Sequence, residues 1–551
     1  MSRRTLKVMS LVLALVLLVP AGGFATTIAP ANGVWKADYL LEDPAAGLLS
    51  ETSLRMFSLG WGAFNGLVQD EYTDLFLNPA NITAIEGSRL YTNLANVQES
   101  NPLLTYDTTG SSNNLGFVTE LAGNKVGVLF GQKMSSTDNS NSGSQVDKLS
   151  NPATIYNRTW NYDPTDKTTN LKGKVWFGRK LSDNLAIGAN FSLANANVDK
   201  VTGNTYLVPG FGNVSFTHRV YTETRVSDGK VTRQDTSDYT VTTKDKNQGI
   251  QAQVGAKMAL GGMDLSVGGT FKPITIDYSE TTTDTFVQEL LNASTGQMDK
   301  TTTKNPVLLT GKGSGTGMGL DARLALPDNM IKFLDKVYLA ANFDNASVPI
   351  AGEESYSSTT ENASSTTTSS AAAVYSGKLG RTGYGVGVGA EKEVGENARL
   401  LMGIKFAANN YNNENTFGEL QGKDASGNPT NDYTTIKRNF KQNDMNISIP
   451  VGLEAKVMPK LTLRAGADAV VYSNGSSKVT TTTTETFTDG KVATEITDES
   501  QAQSGGKNSS TNSTYTVGVG YELNEKVQFD LVHYGKLFGL PHWAASATIK
   551  F

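Results

Sequence analysis

The sequence predicts an all-β protein, a transmembrane antiparallel β-barrel of 14 to 16 strands with an N-terminal plug segment and long extracellular β-hairpin loops. Three observations predict this fold. Apolar and polar residues alternate in many short segments, short and long connections alternate between these segments, and the last segment ends on an aromatic residue. Because successive side chains of a strand point to opposite faces, such segments suit a wall between lipid and a wet lumen.

The first 25 residues have the features of a secretory signal peptide. Two arginines and a lysine precede an apolar run from Val8 to Pro20, and the small residues Gly23 and Ala25 offer a cleavage site. The apolar run is too short for a stable membrane anchor. We therefore expect residues 1–25 to be removed on export.

The composition excludes several kinds of function. The absence of Cys rules out disulfides, thiolate metal sites and a lipidated N-terminal Cys. Removal of the three basic residues of the signal changes the formal charge from -5 to -8. This acidic balance, without a dominant basic patch, argues against nucleic acid as a partner. Only 38% of the residues are hydrophobic. A barrel accommodates this value because only alternate strand residues face lipid.

The clearest alternation lies in three segments. From Ile250 to Leu260, from Met445 to Val457 and from Leu461 to Ala469, every second residue is apolar, and most residues between them are polar, charged or glycine. A soluble β-sandwich would give the same pattern with its apolar face inside. The signal peptide and the last strand favour the membrane barrel, in which the apolar face contacts lipid.

The connections between candidate strands alternate in length. The short ones are residues 123–124, 182–184, 261–262, 327–335, 395–397, 458–460 and 524–525. Their Gly, Asn and Asp residues suit tight hairpin turns. Outer-membrane barrels place short turns in the periplasm and long loops outside. With a first strand near residues 88–98 we count sixteen strands, and fourteen is the alternative because the first pair has the weakest pattern.

Two long connections contain the same hairpin signal. Residues 222–224 (Thr-Glu-Thr) precede Asp228-Gly229 with three residues between them, and residues 484–486 (Thr-Glu-Thr) precede Asp489-Gly490 with two. Asp-Gly between Thr- and Val-rich arms predicts a β-hairpin. We expect the strands to continue beyond the membrane as a Thr-rich collar. The repeated hairpin is either a binding element or a solvated turn.

The last nine residues form one more alternating strand. Trp543, Ile549 and Phe551 share one apolar face with two alanines between them. This strand resembles the closing strand of bacterial outer-membrane barrels. The resemblance implies the outer membrane of a diderm bacterium as the location. It also implies outer-membrane lipid and the barrel-assembly machinery, which would recognise this strand, as partners.

Residues 26–87 do not alternate, and part of them resembles a known family. Residues 60–64 (Gly-Trp-Gly-Ala-Phe) are followed by Asp70 and then by Asn78-Pro79-Ala80. This order resembles the N-terminal region of the FadL-type long-chain fatty-acid and hydrocarbon transporters, and of the related shuttle barrel of type IX secretion. Where the family usually has Gly after Asn-Pro-Ala, this chain has Asn81.

The resemblance implies a hatch, a small domain (residues 26–87) that plugs the periplasmic end of a fourteen-stranded barrel (here residues 88–551). The motif residues of this hatch are Gly60, Gly62, Asn78, Pro79 and Ala80. Glycine allows close packing, proline fixes a turn and asparagine caps backbone groups, so we interpret the motif as structural. Tyr72, Leu75 and Phe76 are candidates for an apolar substrate-binding face, or else they anchor the hatch to the wall.

In the family, substrate passes through an internal apolar pocket and leaves sideways through a gap at a kinked strand. Pro273 and Pro450 lie inside candidate strands, where proline removes a backbone donor and favours a bulge. Either proline could mark such a gap, or both could be ordinary prolines near a barrel rim.

Enzymatic chemistry has little support in the sequence. Only three His are present, and Asp530 and His533, three residues apart on a strand, point to opposite faces. The Gly-rich stretch 311–319 continues into a barrel strand and not into a helix, which excludes a phosphate-binding loop. We therefore expect no catalytic residue, no metal and no cofactor. Six wall charges are interpreted as pairing with one another: Lys257, Asp321, Arg323, Lys405, Arg464 and Asp468.

The sequence thus predicts an outer-membrane channel or transporter for passive uptake of small hydrophobic molecules such as fatty acids, where "hydrophobic" rests on the resemblance. One alternative is a general diffusion porin whose residues 26–87 leave the lumen open. The other is a non-transport scaffold or secretion-associated barrel whose collar binds an exported partner. An apolar lumen would favour the transporter, an open polar channel the porin, and a filled lumen with an ordered collar the scaffold.

Overall fold

The computed structural model describes residues 52–60, 62–95, 113–138, 141–147, 154–208, 212–419, 433–487, 489, 491–503, 513–535 and 543–551. The predicted signal peptide, the hatch up to residue 51 and Trp61 lie outside these ranges. In the described ranges no helix has the length and apolar character needed to cross a membrane.

The described residues form 23 strands, named here in chain order. They are β1 Arg89–Ala95, β2 Asn113–Leu121, β3 Asn124–Asp138, β4 Asn141–Asp147, β5 Thr154–Tyr162, β6 Thr165–Ser182, β7 Leu185–Thr202, β8 Asn204–Val208, β9 Gly212–Phe216, β10 His218–Arg225, β11 Val231–Leu260, β12 Met263–Leu291, β13 Met298–Lys304, β14 Val307–Ala325, β15 Lys336–Glu361, β16 Thr366–Val394, β17 Ala398–Glu419, β18 Tyr433–Met458, β19 Leu461–Thr486, β20 Val492–Gln503, β21 Ser513–Asn524, β22 Val527–Gly535 and β23 Trp543–Lys550.

Sixteen of these strands close into one antiparallel barrel. The order around the wall is β1, β2, β3, β6, β7, β11, β12, β14 to β19, β21, β22 and β23. The ring closes where β23 pairs with β1, with Lys550 opposite Arg89 and Ile549 opposite Leu90. The prediction of a closing last strand is therefore confirmed. The strand count is sixteen, so the fourteen strands that the resemblance implies do not apply to this chain.

The short connections fall where the sequence predicts them. Residues 122–123, 183–184, 261–262, 326–335, 395–397, 459–460 and 525–526 join consecutive barrel strands at one end of the barrel. The start of β1 and the end of β23 lie at the same end, where the Phe551 amide donates to the Ser88 carbonyl over 3.1 Å. By the rule that short turns are periplasmic, this is the periplasmic end.

The two faces of the wall differ as expected for a membrane barrel. On β18, Ile449, Val451 and Leu453 are 38–44% exposed and point outward. Ser448, Pro450 and Gly452, which alternate with them in sequence, are buried on the inside. The same alternation places an apolar surface against lipid and a mixed polar surface in the lumen.

The long connections form a collar of strands. β11 and β12 contain 30 and 29 residues. At about 3.3 Å per residue they are close to 100 Å long, far beyond the 9–11 residues that cross a membrane. In the two predicted hairpins the Asp228 carboxylate accepts from the Lys230 amide (3.3 Å) and the Asp489 carboxylate from the Lys491 amide (2.9 Å). The predicted extracellular hairpins are confirmed.

Inside the barrel, residues 52–60 and 62–87, called the hatch segment below, form three short helices. α1 spans Leu54–Ser58, α2 spans Asp74–Leu77 and a 3-10 helix spans Pro79–Ala84. The Ser53 hydroxyl accepts from the Met56 amide and caps α1 (3.1 Å). Helices this short are not stable alone, so contacts with the barrel wall must hold them.

Candidate functional site

Inward-facing glycines of the wall make room for the hatch segment. A Cβ added at Gly268 on β12 would lie 2.7 Å from the Leu77 carbonyl oxygen, and one at Gly452 on β18 would lie 3.0 Å from the Leu59 carbonyl oxygen. Other wall glycines whose Cβ would meet a hatch atom at 3.0 Å or less are Gly127, Gly178, Gly188, Gly255, Gly387, Gly389, Gly403, Gly466 and Gly518. Together these glycines lie on ten barrel strands, so backbone and side-chain atoms of the hatch segment occupy the space of wall side chains around most of the circumference.

The other six barrel strands meet the hatch through side chains. Apolar clusters join the hatch segment to Tyr91 on β1, Val118 on β2, Tyr338 on β15, Val532 on β22 and Ala544 on β23. On β14, the Arg323 guanidinium binds the Asp74 carboxylate through two hydrogen bonds of 2.5 and 2.6 Å. Every barrel strand therefore contributes to the packing of residues 52–87, which reach from wall to wall.

The Asn78-Pro79-Ala80 motif joins the hatch segment to β11 and β12. The Asn78 side-chain oxygen accepts from the Ala80 amide (2.9 Å) and caps the 3-10 helix, which begins at Pro79. The Asn78 amide nitrogen donates to the Ala256 carbonyl (2.8 Å) and to the Ser266 hydroxyl (2.7 Å). One buried side chain thus caps a helix and binds two wall strands.

The two glycines of the other motif adopt left-handed backbone conformations. Gly60 has φ +131° and Gly62 has φ +76°. Residues with a Cβ rarely adopt these angles, and a Cβ on Gly60 would also lie 3.3 Å from the Ala467 carbonyl of β19. The chain reverses here close to the wall, and glycine is the residue that permits it.

Tyr72, Leu75 and Phe76 lie in an apolar cluster between the hatch and the wall. Their exposed fractions are 7%, 2% and 8%. The Phe76 ring packs edge-on against Trp176 of β6, with centroids 5.4 Å apart, and the Tyr72 ring packs against Tyr91 of β1 at 5.1 Å. The Trp176 indole also donates to the Leu75 carbonyl (3.0 Å). This placement is that of a wall anchor, and none of the three candidates lines the cavity described below.

A charge network surrounds the other side of the hatch segment. The Glu454 carboxylate on β18 accepts from Arg55 of α1 (2.9 Å), Arg464 of β19 (2.8 Å) and Arg399 of β17 (3.0 Å). Arg464 also binds Asp530 of β22 (2.5 Å). One carboxylate therefore holds a hatch cation and two wall cations together.

A cavity of about 230 Å³ lies between the hatch segment and strands β12 and β14 to β17. Three hatch asparagines line it: Asn65, Asn78 and Asn81. The wall adds the charged side chains of Asp321, Arg323 and Lys405 and the polar side chains of Ser266 and Asn342, and the apolar side includes Leu67, Leu77 and Ala340. The lining therefore combines many hydrogen-bonding groups with an apolar wall.

Lys405 differs from the other wall charges. Arg323 and Arg464 form short ion pairs with carboxylates, and Lys257 lies 3.8 Å from Asp264. Among the described residues, no carboxylate lies within 4.0 Å of the Lys405 ammonium and no acceptor lies within hydrogen-bonding distance; Asp468 acts on it from farther away. The ammonium therefore lines the cavity without a direct partner from the described wall or hatch.

Both prolines noted in the sequence interrupt strand pairing. At Pro450 the β17–β18 pairs skip from Met402–Val451 to Lys405–Ser448, and the β18–β19 register shifts between Ile447 and Ser448. At Pro273 only the β11–β12 pairing is interrupted. The Pro450 interruption borders the cavity, because Lys405 stands at its edge.

The sequence did not predict the cavity. In the sequence Lys405 was only one of six wall charges, and alternation of polar and apolar residues does not reveal which charges lack partners. The resemblance identified residues near the cavity, since Asn78 lines it, but Asn65, Asn81 and Asn342 carry no signal in the sequence. The described residues contain no group of three or more His, Asp or Glu side chains placed to hold a metal.

The sequence matches no protein-family model, and no similar sequence was found among curated proteins. Solved structures that align with this chain include the Pseudomonas putida toluene transporter TodX, at 11% identity and a TM-score of 0.33, covering 90% of this chain and 99% of TodX. A Pseudomonas aeruginosa FadL homologue aligns at 13% identity and a TM-score of 0.35 (90% and 98% covered). The Acinetobacter baumannii siderophore receptor PiuA aligns at 11% and 0.27 (85% and 82%). These backbones superpose loosely, so the function of this chain has to be inferred from its own residues.

Proposed function

We propose that this protein is a plugged transporter of the bacterial outer membrane that takes up small amphiphilic molecules, such as fatty acids, without chemical change or an energy source. The observation that supports this proposal is the cavity between the hatch segment and the wall, with the unpaired Lys405 ammonium on its polar side. The lipid-facing wall and the resemblance of residues 53–85 to the FadL-type transporters support the membrane location and the ligand class.

The lining of the cavity favours a ligand with an anionic end. A half-buried ammonium without a direct partner is unfavourable, and a bound carboxylate would supply the missing charge and hydrogen-bond acceptors. The carboxamides of Asn65 and Asn342 can donate to the same oxygens. Leu67 and Leu77 offer contact to the first carbons of an apolar chain.

The size of the cavity limits what it holds. At about 230 Å³ it is smaller than the roughly 300–1,000 Å³ of typical ligand pockets, so it suits only the head of a long molecule. The inner wall above it bears an apolar cluster that includes Val348, Ile350 and Leu379. Val348 lies six residues above Asn342 on β15, about 20 Å along the strand. We propose that the apolar tail lies toward this cluster.

The wall beside the cavity offers a route toward lipid. Pro450 interrupts pairing with β17, a register shift toward β19 lies nearby between Ile447 and Ser448, and a Cβ on Gly403 would touch both Pro450 and the hatch residue Leu67. We propose that Pro450, and not Pro273, marks the place where a ligand leaves the barrel sideways.

A scaffold function is the second candidate, because the hatch segment fills one level of the lumen and the collar is built of ordered strands. A scaffold needs no small-molecule site. A general diffusion porin is less well supported, because residues 52–87 reach every strand of the wall.

Ligand binding to Lys405 variants tests the proposal. Dodecanoate and dodecanol differ only in the charged head, so the refolded protein should bind dodecanoate more tightly. In Lys405→Met, dodecanoate affinity should fall by about 10- to 100-fold, which corresponds to the roughly 1.5–3 kcal/mol of a charge-assisted hydrogen bond. Dodecanol affinity should not change.

Two control variants sharpen this test. Lys405→Arg keeps the charge and should retain most of the affinity for dodecanoate. Lys257→Met removes another wall cation, which lies near Asp264, and should have no effect. Equal binding of acid and alcohol by the unmodified protein, or full dodecanoate affinity in Lys405→Met, would contradict the proposal. Failure of any amphiphile to bind would favour the scaffold.

A further inference from the structure

The turn between β14 and β15 differs from the other periplasmic turns. It spans residues 326–335, whereas the other six turns have two or three residues. It contains Met330, Ile331, Phe333 and Leu334, and the remaining turns consist mainly of Gly, Asn, Asp and Lys. With Leu326 the turn carries five large apolar side chains in ten residues, which are not needed to join two antiparallel strands.

The turn is folded against the barrel and does not form an open loop. The Leu334 amide donates to the Ile331 carbonyl (2.8 Å) and the Asn329 amide to the Asp335 carbonyl (2.9 Å). The Asp335 carboxylate accepts from the Lys392 ammonium of β16 (3.0 Å), and its amide donates to the Glu391 carbonyl (3.0 Å). These bonds fix the turn beside β16.

The turn covers the outer, lipid-facing side of the wall. Tyr338 points inward to the hatch cluster, so its neighbours Val337 and Leu339 point outward. Val337 and Ala390, which faces it on β16, are only 6% and 8% exposed, and both cluster with Leu326, Met330, Ile331 and Leu334 of the turn. Most outward apolar residues of the barrel are 38–65% exposed, so here the turn takes the place of lipid.

The outer surface of the turn is itself apolar. Phe333 is 69% exposed, the highest fraction of any large apolar side chain in the described residues. Lys332 and Lys336, on either side of it in sequence, are also exposed. An exposed aromatic ring flanked by lysines is typical of the boundary between membrane and water.

The strands above the turn have a short lipid-facing run. Outward residues are apolar from Met318 to Leu324 on β14 and from Val337 to Phe343 on β15, and Asn345 is the next outward residue on β15. Six residue steps cover about 20 Å along the strand, or about 15 Å along the membrane normal at a tilt near 40°, against an apolar band about 25 Å tall. On β18 the outward apolar run extends from Met445 to Val457.

We propose that residues 326–335 form an interfacial anchor that lies in the periplasm-facing phospholipid leaflet, with Phe333 inserted among the acyl chains and Lys332 and Lys336 at the headgroups. The occupant of this surface is lipid because the turn is continuous with the lipid-facing wall, whose apolar run on β14 and β15 is shorter than the run on β18. The anchor completes the apolar band beside β14 and β15 and fixes the height of the barrel in the membrane.

Spin labelling tests this proposal, and the absence of Cys from the chain gives a clean background. Phe333→Cys carries a nitroxide in the full-length protein, reconstituted in phosphatidylcholine and phosphatidylglycerol vesicles. Glu396→Cys, in an exposed turn at the same end, is the aqueous control, and Met318→Cys, 58% exposed on β14, is the lipid control. Collisions with oxygen, which prefers lipid, are compared with collisions with a water-soluble nickel chelate.

The expected ratio of oxygen to nickel collisions at Phe333→Cys is several-fold higher than at Glu396→Cys and approaches that at Met318→Cys. A ratio equal to that of Glu396→Cys would place the turn in water and overturn the proposal. Strong spin–spin broadening at Phe333→Cys would show a second copy on this surface, and it would overturn the proposal as well. All three substituted side chains are exposed, so folding should be unaffected.

Discussion

Asn78 shows how one side chain can determine the position of a segment. It caps the 3-10 helix and donates to β11 and β12, and it is only 2% exposed. A buried side chain with three partners cannot be replaced by an apolar one without leaving the Ala80 amide and the Ser266 hydroxyl unsatisfied. The helix cap and the wall contacts of Asn78 are therefore enough to explain the Asn-Pro-Ala motif without a ligand.

Asn78→Ala should destabilise the barrel by about 2–4 kcal/mol, because a helix cap and two buried hydrogen bonds are lost together. Urea titration of the protein in lipid vesicles, followed by tryptophan fluorescence, measures the change. Asn345→Ala is a suitable control, since Asn345 is exposed on the outer wall and its side chain makes one hydrogen bond within the described residues, to Thr382. Equal effects of the two substitutions would show that the Asn78 contacts do not hold the hatch segment.

At the residue scale the sequence could predict chemistry only in part. Six wall charges were interpreted from the sequence as pairing with one another, whereas Arg323 binds Asp74 of the hatch segment and Arg464 binds Asp530. It could not single out Lys405, because its lack of a partner depends on which strands become neighbours and on where Asp468 lies. Such distances follow from barrel closure and leave no local pattern.

The hatch segment and the wall determine each other at the scale of elements. The wall provides glycines where the hatch backbone passes, and the hatch provides short helices that have no stability of their own. The strands and turns could be predicted from sequence, since period-two alternation and Gly, Asn and Asp turns are local signals. The matching of hatch atoms to wall glycines could not, since it depends on contacts between residues up to several hundred positions apart.

Adjacent glycines on β12 provide a matched test of this packing. A Cβ at Gly268 would lie 2.7 Å from the Leu77 carbonyl oxygen, whereas one at Gly269 has no atom within 4 Å. Gly268→Ala should cost about 1–3 kcal/mol of stability through overpacking. Gly269→Ala should be neutral or slightly stabilising. The urea midpoints of the two variants in vesicles decide the matter, and equal midpoints would contradict the packing of Leu77 against β12.

Glu454 offers a second test at this scale. Glu454→Gln removes the charge that holds Arg55, Arg399 and Arg464 together, and loss of one partner from a buried ion cluster costs about 3–5 kcal/mol. We expect a lower urea midpoint and brief current openings in planar bilayers as the hatch loosens. Glu393→Gln, an exposed carboxylate near the same end, should behave like the unmodified protein.

The whole molecule combines a lumen that contains the hatch segment, a lipid-facing wall and a tall collar. Both the fold class and the closing strand were predicted from sequence, because a membrane barrel imposes alternation on every strand and places an aromatic residue at its end. The collar was predicted from its Asp-Gly turns. The sequence left the choice between fourteen and sixteen strands open, and the pairing of β1 with β23 in the closed ring gives sixteen. The central claim at this scale is that residues 52–87 close the lumen.

Single-channel conductance in a planar bilayer tests this claim most directly. The refolded mature protein should be nearly silent, because the hatch segment contacts all sixteen strands, and a variant that lacks residues 26–87 should conduct steadily. Large, steady currents through the full-length protein would contradict the account, since they would require an open pore beside or through the hatch.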